Sequence, residues 1–290
     1  MVEFPSEFDP AIYRLKNPDL SNMSDERLVL HYNNHGKREG RICSRVENRS
    51  FASELLPQFS SCLEIGPFDC PVIKGPNVEY FDVLDKSGLY DRAVTIGRTG
   101  NLTNIPFINY VSETGDLTII NKKYDMVLSC HSIEHQIDFI QHLLDVEKIL
   151  LNGGYYVVIL PDKRYCFDHF IKETTIADVL QYHLNKTSFH TLKSVIEHRA
   201  LTCHNDSIRH WANNHGEKVL NSGNVLAAIN EYNSGVSTNS YIDVHALQFT
   251  PDSFEEIINI LNNLGFIRFK VDKIYPTLLN SCEFYVILTL

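Results

Sequence analysis

The sequence predicts an α/β protein built around a mostly parallel sheet, and three stretches carry that prediction. Tyr124-Asp125-Met126-Val127-Leu128-Ser129 is an apolar run of strand length, and His131-Ser132-Ile133-Glu134-His135 after it is a polar turn. A helical stretch ending in Asn152-Gly153-Gly154 then leads to a second apolar run, Tyr155-Tyr156-Val157-Val158-Ile159-Leu160-Pro161-Asp162. Strand, turn, amphipathic helix and strand make one crossover, with polar residues just past the strand ends, where open α/β sheets bind ligands. Upstream, Ser61-Cys62-Leu63-Glu64-Ile65-Gly66-Pro67 is a further apolar strand that ends in an acid and a glycine turn.

In chain order, residues 1–50 read as a separate small unit. Phe8-Asp9-Pro10-Ala11-Ile12-Tyr13, then Asn17-Pro18-Asp19-Leu20, then a helix opened by Ser24 and stopped at His35-Gly36, give two short helices separated by turn residues. Residues 51–290 form the main domain. Its strands are expected at 63–65, 78–82, about 108–111 and 126–129, followed by the run from Tyr155. Only eleven residues separate Gly66 from Val78, and Pro67, Pro71 and Pro76 are among them, too few and too proline-rich for a full helix. Residues 163–248 show no strand period and hold eight of the 13 histidines, so they read as a helical cap inserted over the site. The pattern resumes at Thr250-Pro251-Asp252-Ser253, an N-cap with proline in the first turn, and Phe254, Ile257, Ile258 and Leu261 mark a core-facing stripe ending at Gly265. Residues 266–271 and 284–290 are the last two strands.

The strand ending in Glu64-Ile65-Gly66-Pro67, the acid at Asp82, the pair Asp116-Leu117, and the two strands with their polar ends resemble, in that order, a class I S-adenosylmethionine-dependent methyltransferase of the small-molecule type. The similarity spans roughly residues 55–290. It implies a Rossmann-like seven-stranded sheet, mostly parallel with an antiparallel last strand, S-adenosyl-L-methionine as cofactor, and methyl transfer as the activity. Two departures from the family pattern stand out: the missing helix after the first strand, and Phe68 where the motif's second glycine is usual. The first 50 residues resemble a short module, Phe-Asp…Tyr…Asn-Pro-Asp-Leu…His-Tyr…His-Gly…Glu-Gly-Arg, that recurs beside bacterial glycosyltransferases. This association implies a sugar, nucleotide sugar or glycan acceptor in surface polysaccharide synthesis, with glycan-assembly proteins as partners.

The cofactor is expected at Glu64, Gly66 and Pro67, where glycine lets the backbone approach a ligand, and at Asp82, whose carboxylate can accept hydrogen bonds from ribose hydroxyls. Asp85 rivals Asp82, since strand ends are read only to within a few residues. The resemblance places Asp116 and Leu117 against adenine and Ser129 at the start of the loop facing the methyl group. That loop, and the one running through Asp162, Lys163, Arg164 and Tyr165, should meet the acceptor. An alcohol acceptor must lose a proton, which suits histidine near neutral pH. The candidates for the chemistry are His245, His131, His169 and Asp162. Lys163 and Arg164 point to an anionic acceptor, because guanidinium forks bind carboxylate or phosphate bidentately. Arg209 and Trp211 could add a stacking wall.

Other classes are weighed on the same residues. His131-Ser132-Ile133-Glu134-His135 matches the H-x-x-E-H signature of inverted zinc proteases, but that motif belongs inside a helix and His131 follows a strand, so no metal is expected. A degenerate domain acting as a scaffold in glycan assembly is the other alternative. The loop after the fourth strand reads Ser129-Cys130-His131-Ser132 rather than the Asp/Asn-Pro-Pro-Tyr/Phe of base N-methylating enzymes. A net charge of -10 argues against nucleic acid or anionic membrane as partner. The start, from Met1, lacks the basic and apolar segments of a leader, and no apolar run reaches the roughly 18 residues of a membrane span, so the cytoplasm is the expected location. The 7 cysteines include no Cys-x-x-Cys pair and read as mostly buried thiols.

Overall fold

The computed structural model describes residues 3–290; Met1 and Val2, at the head of the start read above for a leader, lie outside the described residues. Its centre is one sheet of seven strands: β1 (Cys62–Ile65), β2 (Val78–Asp82), β3 (Tyr110–Val111), β4 (Tyr124–Cys130), β5 (Leu150–Pro161), β6 (Lys270–Tyr275) and β7 (Glu283–Thr289), in the order β3-β2-β1-β4-β5-β7-β6. Strands β1 to β5 pair in parallel, and β7 is antiparallel to both of its neighbours. The mostly parallel seven-stranded sheet with an antiparallel last strand is therefore observed. The strand order reverses between β1 and β4, which makes the carboxyl ends of those two strands the place where a ligand crevice opens.

Ten helices surround the sheet among the described residues: α1 (Pro10–Lys16), α2 (Asp25–His31), α3 (Ser50–Leu55), α4 (Lys86–Thr95), α5 (Phe139–Ile149), α6 (Ile176–Leu184), α7 (Leu192–Leu201), α8 (Ser207–Trp211), α9 (Ser222–Thr238) and α10 (Pro251–Asn263). Successive strand residues point to opposite faces, so one chain builds two cores. On one face Leu63, Ile65, Val127, Val158 and Val286 meet Phe139 and Leu143 of α5 and Phe254 and Ile258 of α10. On the other face Cys62, Met126, Leu128, Val157 and Ile287 meet Phe51 and Leu55 of α3. The helix α10 begins as expected, with Thr250 capping Ser253 N–H and Pro251 in the first turn. Residues 163–248 hold α6 to α9.

Two boundaries move from their expected places. The sixth strand lies at Lys270–Tyr275, because Ile267 and Phe269 enter the core as extended chain before sheet pairing begins. Asn152-Gly153-Gly154 lies within β5, where a register shift against β4 takes up the extra residues. Three of the seven cysteines are buried, Cys43, Cys62 and Cys166; Cys70 is exposed, and all are free. No helix among the described residues is long and apolar enough to cross a membrane.

The loop that stands where a first helix is usual is held by Glu64. Alternation along β1 turns its side chain to the same face as Cys62, away from Leu63 and Ile65. The carboxylate accepts the backbone N–H of Val72 at 2.8 Å and that of Ile73 at 3.0 Å. Burial pushes this carboxyl up to about 7 against the pull of those two donors. Glu64→Ala leaves two buried N–H groups unpaired and should destabilise the protein by about 2–4 kcal/mol in urea titration. Because the folded value exceeds the unfolded one, Glu64 contributes most below pH 4.5, and that contribution is lost as pH rises through about 7. The stability difference between wild type and Glu64→Gln should shrink over that window.

The N-terminal helices pack on a small core of Tyr13, Leu20, Leu28 and Cys43. Gly36 lies against Tyr13 so closely that a Cβ would meet its hydroxyl. The unit docks on the main sheet's edge: Ile274 N–H donates to Glu7 at 2.6 Å, Tyr275 OH to the Pro5 carbonyl at 2.7 Å, and Leu279 N–H to the Gly40 carbonyl at 2.7 Å.

Candidate active site

At the carboxyl ends of β1, β2 and β4, a cavity of about 360 Å³ is lined by residues from every segment the crossover brings together. The sheet side contributes Gly66, Phe68, Asp82, Val83 and Leu117; the loop past β4 contributes His131, Ser132, Glu134 and His135; the cap contributes Phe167, Asn205, Tyr241, Asp243 and His245. Four residues at the rim carry positive φ: Gly66 at +71°, Phe68 at +44°, Gly115 at +73° and His131 at +50°. For Phe68 and His131 this is a strained backbone of the kind found at ligand sites. Phe68 thus keeps the conformation a glycine would adopt there. Its ring sits beneath the guanidinium groups of Arg92 and Arg98, 5.9 and 5.2 Å from its centroid.

Asp82 is the acid that faces this cavity. It is buried at the end of β2, with Val83 N–H donating to one oxygen at 2.7 Å and Phe68 N–H to the other at 3.3 Å. Burial pushes its carboxyl above the usual range. Each oxygen keeps a free lone pair, enough for a diol. Asp85 instead caps α4 by accepting Gly88 N–H at 2.8 Å. Asp116 accepts Thr118 N–H and is exposed, while its neighbours Gly115 and Leu117 line the cavity.

The far wall is a knot of imidazoles and carboxylates. His131 Nε2 lies 2.8 Å from Glu283 Oε1, and its Nδ1 lies 3.5 Å from Glu134 Oε1. Burial opposes its charge, but the Glu134 and Glu283 carboxylates outweigh burial and push His131 up to about 9. Glu134 is itself buried, which would raise it, yet His131, His245 and His135 hold it at about 2. Glu283, also paired with Arg49, is held at about 2 despite burial. His245 Nδ1 bonds Asp168 Oδ2 at 2.6 Å, and its Nε2 lies 3.9 Å from Glu134 Oε1. Burial acts against the His245 proton and Asp168 acts for it, with a net upward shift. His245 reaches the site because Ala246 and Leu247 N–H donate to the Glu134 carbonyl at 2.8 and 3.0 Å, which pins the chain returning from the cap onto the turn past β4.

The structure thus brings Gly66, Asp82, Leu117, His131 and His245 around one cavity. It places the other expected residues off its wall. Glu64, within β1, turns its carboxylate to the loop residues Val72 and Ile73, Pro67 belongs to that loop, and Ser129 lies beneath the floor, sharing its hydroxyl with Tyr156 at 2.8 Å while Tyr156 meets His142. Asp162 is fully buried and is gripped by Thr277 at 2.7 Å and by Arg164, which chelates both of its oxygens. Lys163 donates to the His169 carbonyl. Tyr165 stacks on Trp211 at 3.9 Å, and the Trp211 indole N–H donates to the Ser281 carbonyl, so this pair closes the cap on the core. Arg209 is exposed beside Asn214, and His169 stacks on His215 at 3.6 Å. Two segments explain most of these displacements: the run 162–165 folds back on itself, and the loop between β6 and β7 supplies Thr277 and Ser281 as partners. The residues missed in the sequence are Glu134, His135, Asp168, Asp243 and Glu283. Glu134 and His135 were visible in the H-x-x-E-H string. That string forms a single turn at Ile133–His135 with His131 outside it, so His131 and His135 do not share a helical face as the zinc-protease motif requires.

No protein-family model matches the chain, and no curated protein does. Among solved structures it is similar to the CcbJ methyltransferase from Streptomyces caelestis, at 11% identity over 83% of this chain and 94% of that chain, with a TM-score of 0.40. It is also similar to an S-adenosylmethionine-dependent methyltransferase from Clostridium acetobutylicum, at 10% identity over 91% of this chain and 98% of that chain, with a TM-score of 0.42. At such scores these likenesses carry no functional weight; the cavity's own residues do.

Proposed function

We propose that this chain is an S-adenosyl-L-methionine-dependent methyltransferase that O-methylates a sugar, nucleotide sugar or glycan fragment. The observation that carries the reading is the single cavity joining Gly66 and Asp82 at the strand ends to Glu134 and His245 on the cap side. The residues fit the cofactor. Apolar Ile65, Phe81, Leu89, Ile96 and Leu117 can enclose a base, Asp82 can accept from a ribose diol, and the bare backbone of Gly66 leaves room in front of Ser132.

When bound, S-adenosylmethionine supplies an electrophilic methyl carbon and leaves as S-adenosylhomocysteine. This chain's part is alignment, exclusion of water and removal of the acceptor proton. Phe167 and Tyr241 close the cavity from the cap, and the Glu134–His245 group stands where an acceptor hydroxyl would surrender its proton. His131 already holds its own proton at neutral pH and instead offers charge beside that group. Arg164 and Lys163 are engaged within the protein; Arg92 and Arg98 line the cavity but are themselves paired with Asp243 and Asp69, so an anionic part of the acceptor would have to share one of those pairs. The sugar assignment rests on the N-terminal module's resemblance, which also supports glycan-assembly partners.

The test is calorimetry with S-adenosylhomocysteine, then transfer from isotope-labelled S-adenosylmethionine to a panel of nucleotide sugars and glycan fragments. Binding at roughly 1–100 micromolar, typical of metabolite enzymes, and label recovered in a sugar ether are expected. Binding without label in any sugar would overturn the acceptor class. No binding at all would overturn the enzyme and leave the scaffold reading.

A further inference from the structure

Within the far wall, Glu134, His135 and His245 converge, each with a ligand atom that makes no hydrogen bond or only a long ionic contact. Both oxygens of Glu134 and Nδ1 of His135 are buried without a hydrogen-bond partner, with His131 Nδ1 3.5 Å from Glu134 and Asp243 Oδ1 3.4 Å from His135. His245 gives its Nδ1 proton to Asp168, which leaves its Nε2 bare on the same side. One ligand atom from each of Glu134, His135 and His245 lies within 4.8 Å of the others. The two imidazole rings stand nearly perpendicular, 4.7 Å apart at 86°, so their in-plane lone pairs can meet at one point without the rings stacking.

Three unpaired acceptors facing one another in a buried site are costly unless a cation lies between them. A carboxylate holding the far nitrogen of a histidine is the usual outer support of a metal-bound imidazole. Around this point the carboxylates of Glu134, Asp168, Asp243 and Glu283 are met by Arg49, Arg92 and His131, with Arg199 bonding the Asp243 carbonyl. The second histidine cluster, His169, His210 and His215, lacks these features: His210 Nδ1 and His215 Nδ1 bond each other at 2.9 Å, and the parallel rings of His169 and His215 aim their lone pairs side by side.

We propose that Glu134, His135 and His245 bind one divalent transition-metal ion, with Asp168 as the positioning residue for His245. Two imidazoles and one carboxylate without a thiolate suit zinc, manganese, cobalt or nickel, and three ligands leave coordination positions open toward the cavity. The site also joins the turn past β4 to the chain returning from the cap. Its role, though not its existence, rests on the methyltransferase reading: the ion would hold an acceptor hydroxyl, or two adjacent oxygens, and lower the pKa of the bound hydroxyl so that its proton passes to bulk water before the oxygen takes the methyl group, replacing His245 as a free base. This revises the expectation that no metal is needed. That expectation stood on the H-x-x-E-H string alone, whereas the third ligand arrives from more than a hundred residues away.

The experiment uses the full chain, stripped with chelator and titrated separately with Zn²⁺, Mn²⁺ and Co²⁺. One equivalent of zinc or cobalt should bind, and the cobalt form should show visible d–d absorption. His135→Gln and Glu134→Gln should abolish that absorption, with thermal melts confirming that each variant is folded. Asp168→Asn should weaken metal affinity about 10- to 100-fold while leaving S-adenosylhomocysteine affinity unchanged. Absence of stoichiometric binding by any of the three ions overturns the site, as does binding that survives both His135→Gln and Glu134→Gln. Should Glu134→Gln fail to fold, His135→Gln decides the outcome alone. Metal binding in a protein that ignores S-adenosylhomocysteine would uphold the site and remove its methyl-transfer role.

Discussion

Gly66→Arg should yield a folded protein that no longer binds S-adenosylhomocysteine by calorimetry. At +71° the Gly66 backbone lies in the left-handed region, so any side chain there costs roughly 1–2 kcal/mol, a strain the two sheet cores can absorb. The loss of binding comes from direction. A Cβ built on Gly66 meets Ser132 Oγ at 3.6 Å, across the mouth between β1 and β4, so the rest of an arginine must fill the crevice. Asp82→Ala should weaken binding by about 1.5–3 kcal/mol through loss of a charged acceptor. Part of that loss would reach the ligand through Phe68, whose N–H Asp82 holds. Asp85→Ala should leave binding intact, since its carboxylate caps α4. Undiminished binding in both Gly66→Arg and Asp82→Ala would move the cofactor out of this cavity.

What could be read from the sequence follows the range of the forces involved. Strands show because a buried strand is a local apolar run, and glycine at the end of β1 shows because backbone conformation is local too. Asp82 was readable as one of two acids, and the choice against Asp85 needed the pleat and the start of α4. Glu64 was misplaced for the same reason: one residue of alternation turns an acid from the crevice to the opposite face, where it replaces the hydrogen bonds of a missing helix. Arg164 looked like an acceptor clamp because nothing in a sequence reveals that its partner is Asp162, two residues back. Trp211 looked like a stacking wall because its true neighbours, Tyr165, Gly40 and Ser281, come from three separate parts of the chain. The His245 guess came from its position at the end of the insertion. Its partner Asp168 and its proximity to Glu134 depend on contacts across 77 and more than a hundred residues, for which no periodicity exists.

His245→Ala should lower turnover by about 10²- to 10⁴-fold, the usual size of a proton-transfer contribution, while S-adenosylhomocysteine affinity stays near that of the wild type. The separation follows from the site's layout. His245 is fixed by Asp168 and faces Glu134 and His135, and neither it nor its partners touch Gly66 or Asp82, so the loss falls on the acceptor side alone. Whether His245 works as a free base or through a bound ion, its Nε2 is the atom that acts, because Nδ1 is committed to Asp168. His131 cannot take over: Glu134 and Glu283 keep it charged up to about 9, and a group that already holds its proton cannot accept another. His169 cannot either, since it lies against His215 off the cavity wall. A His245→Ala enzyme with near-full turnover would therefore leave His135 and Glu134 as the groups on that wall placed to receive the acceptor's proton. His135→Gln or Glu134→Gln would then have to carry the loss expected of His245.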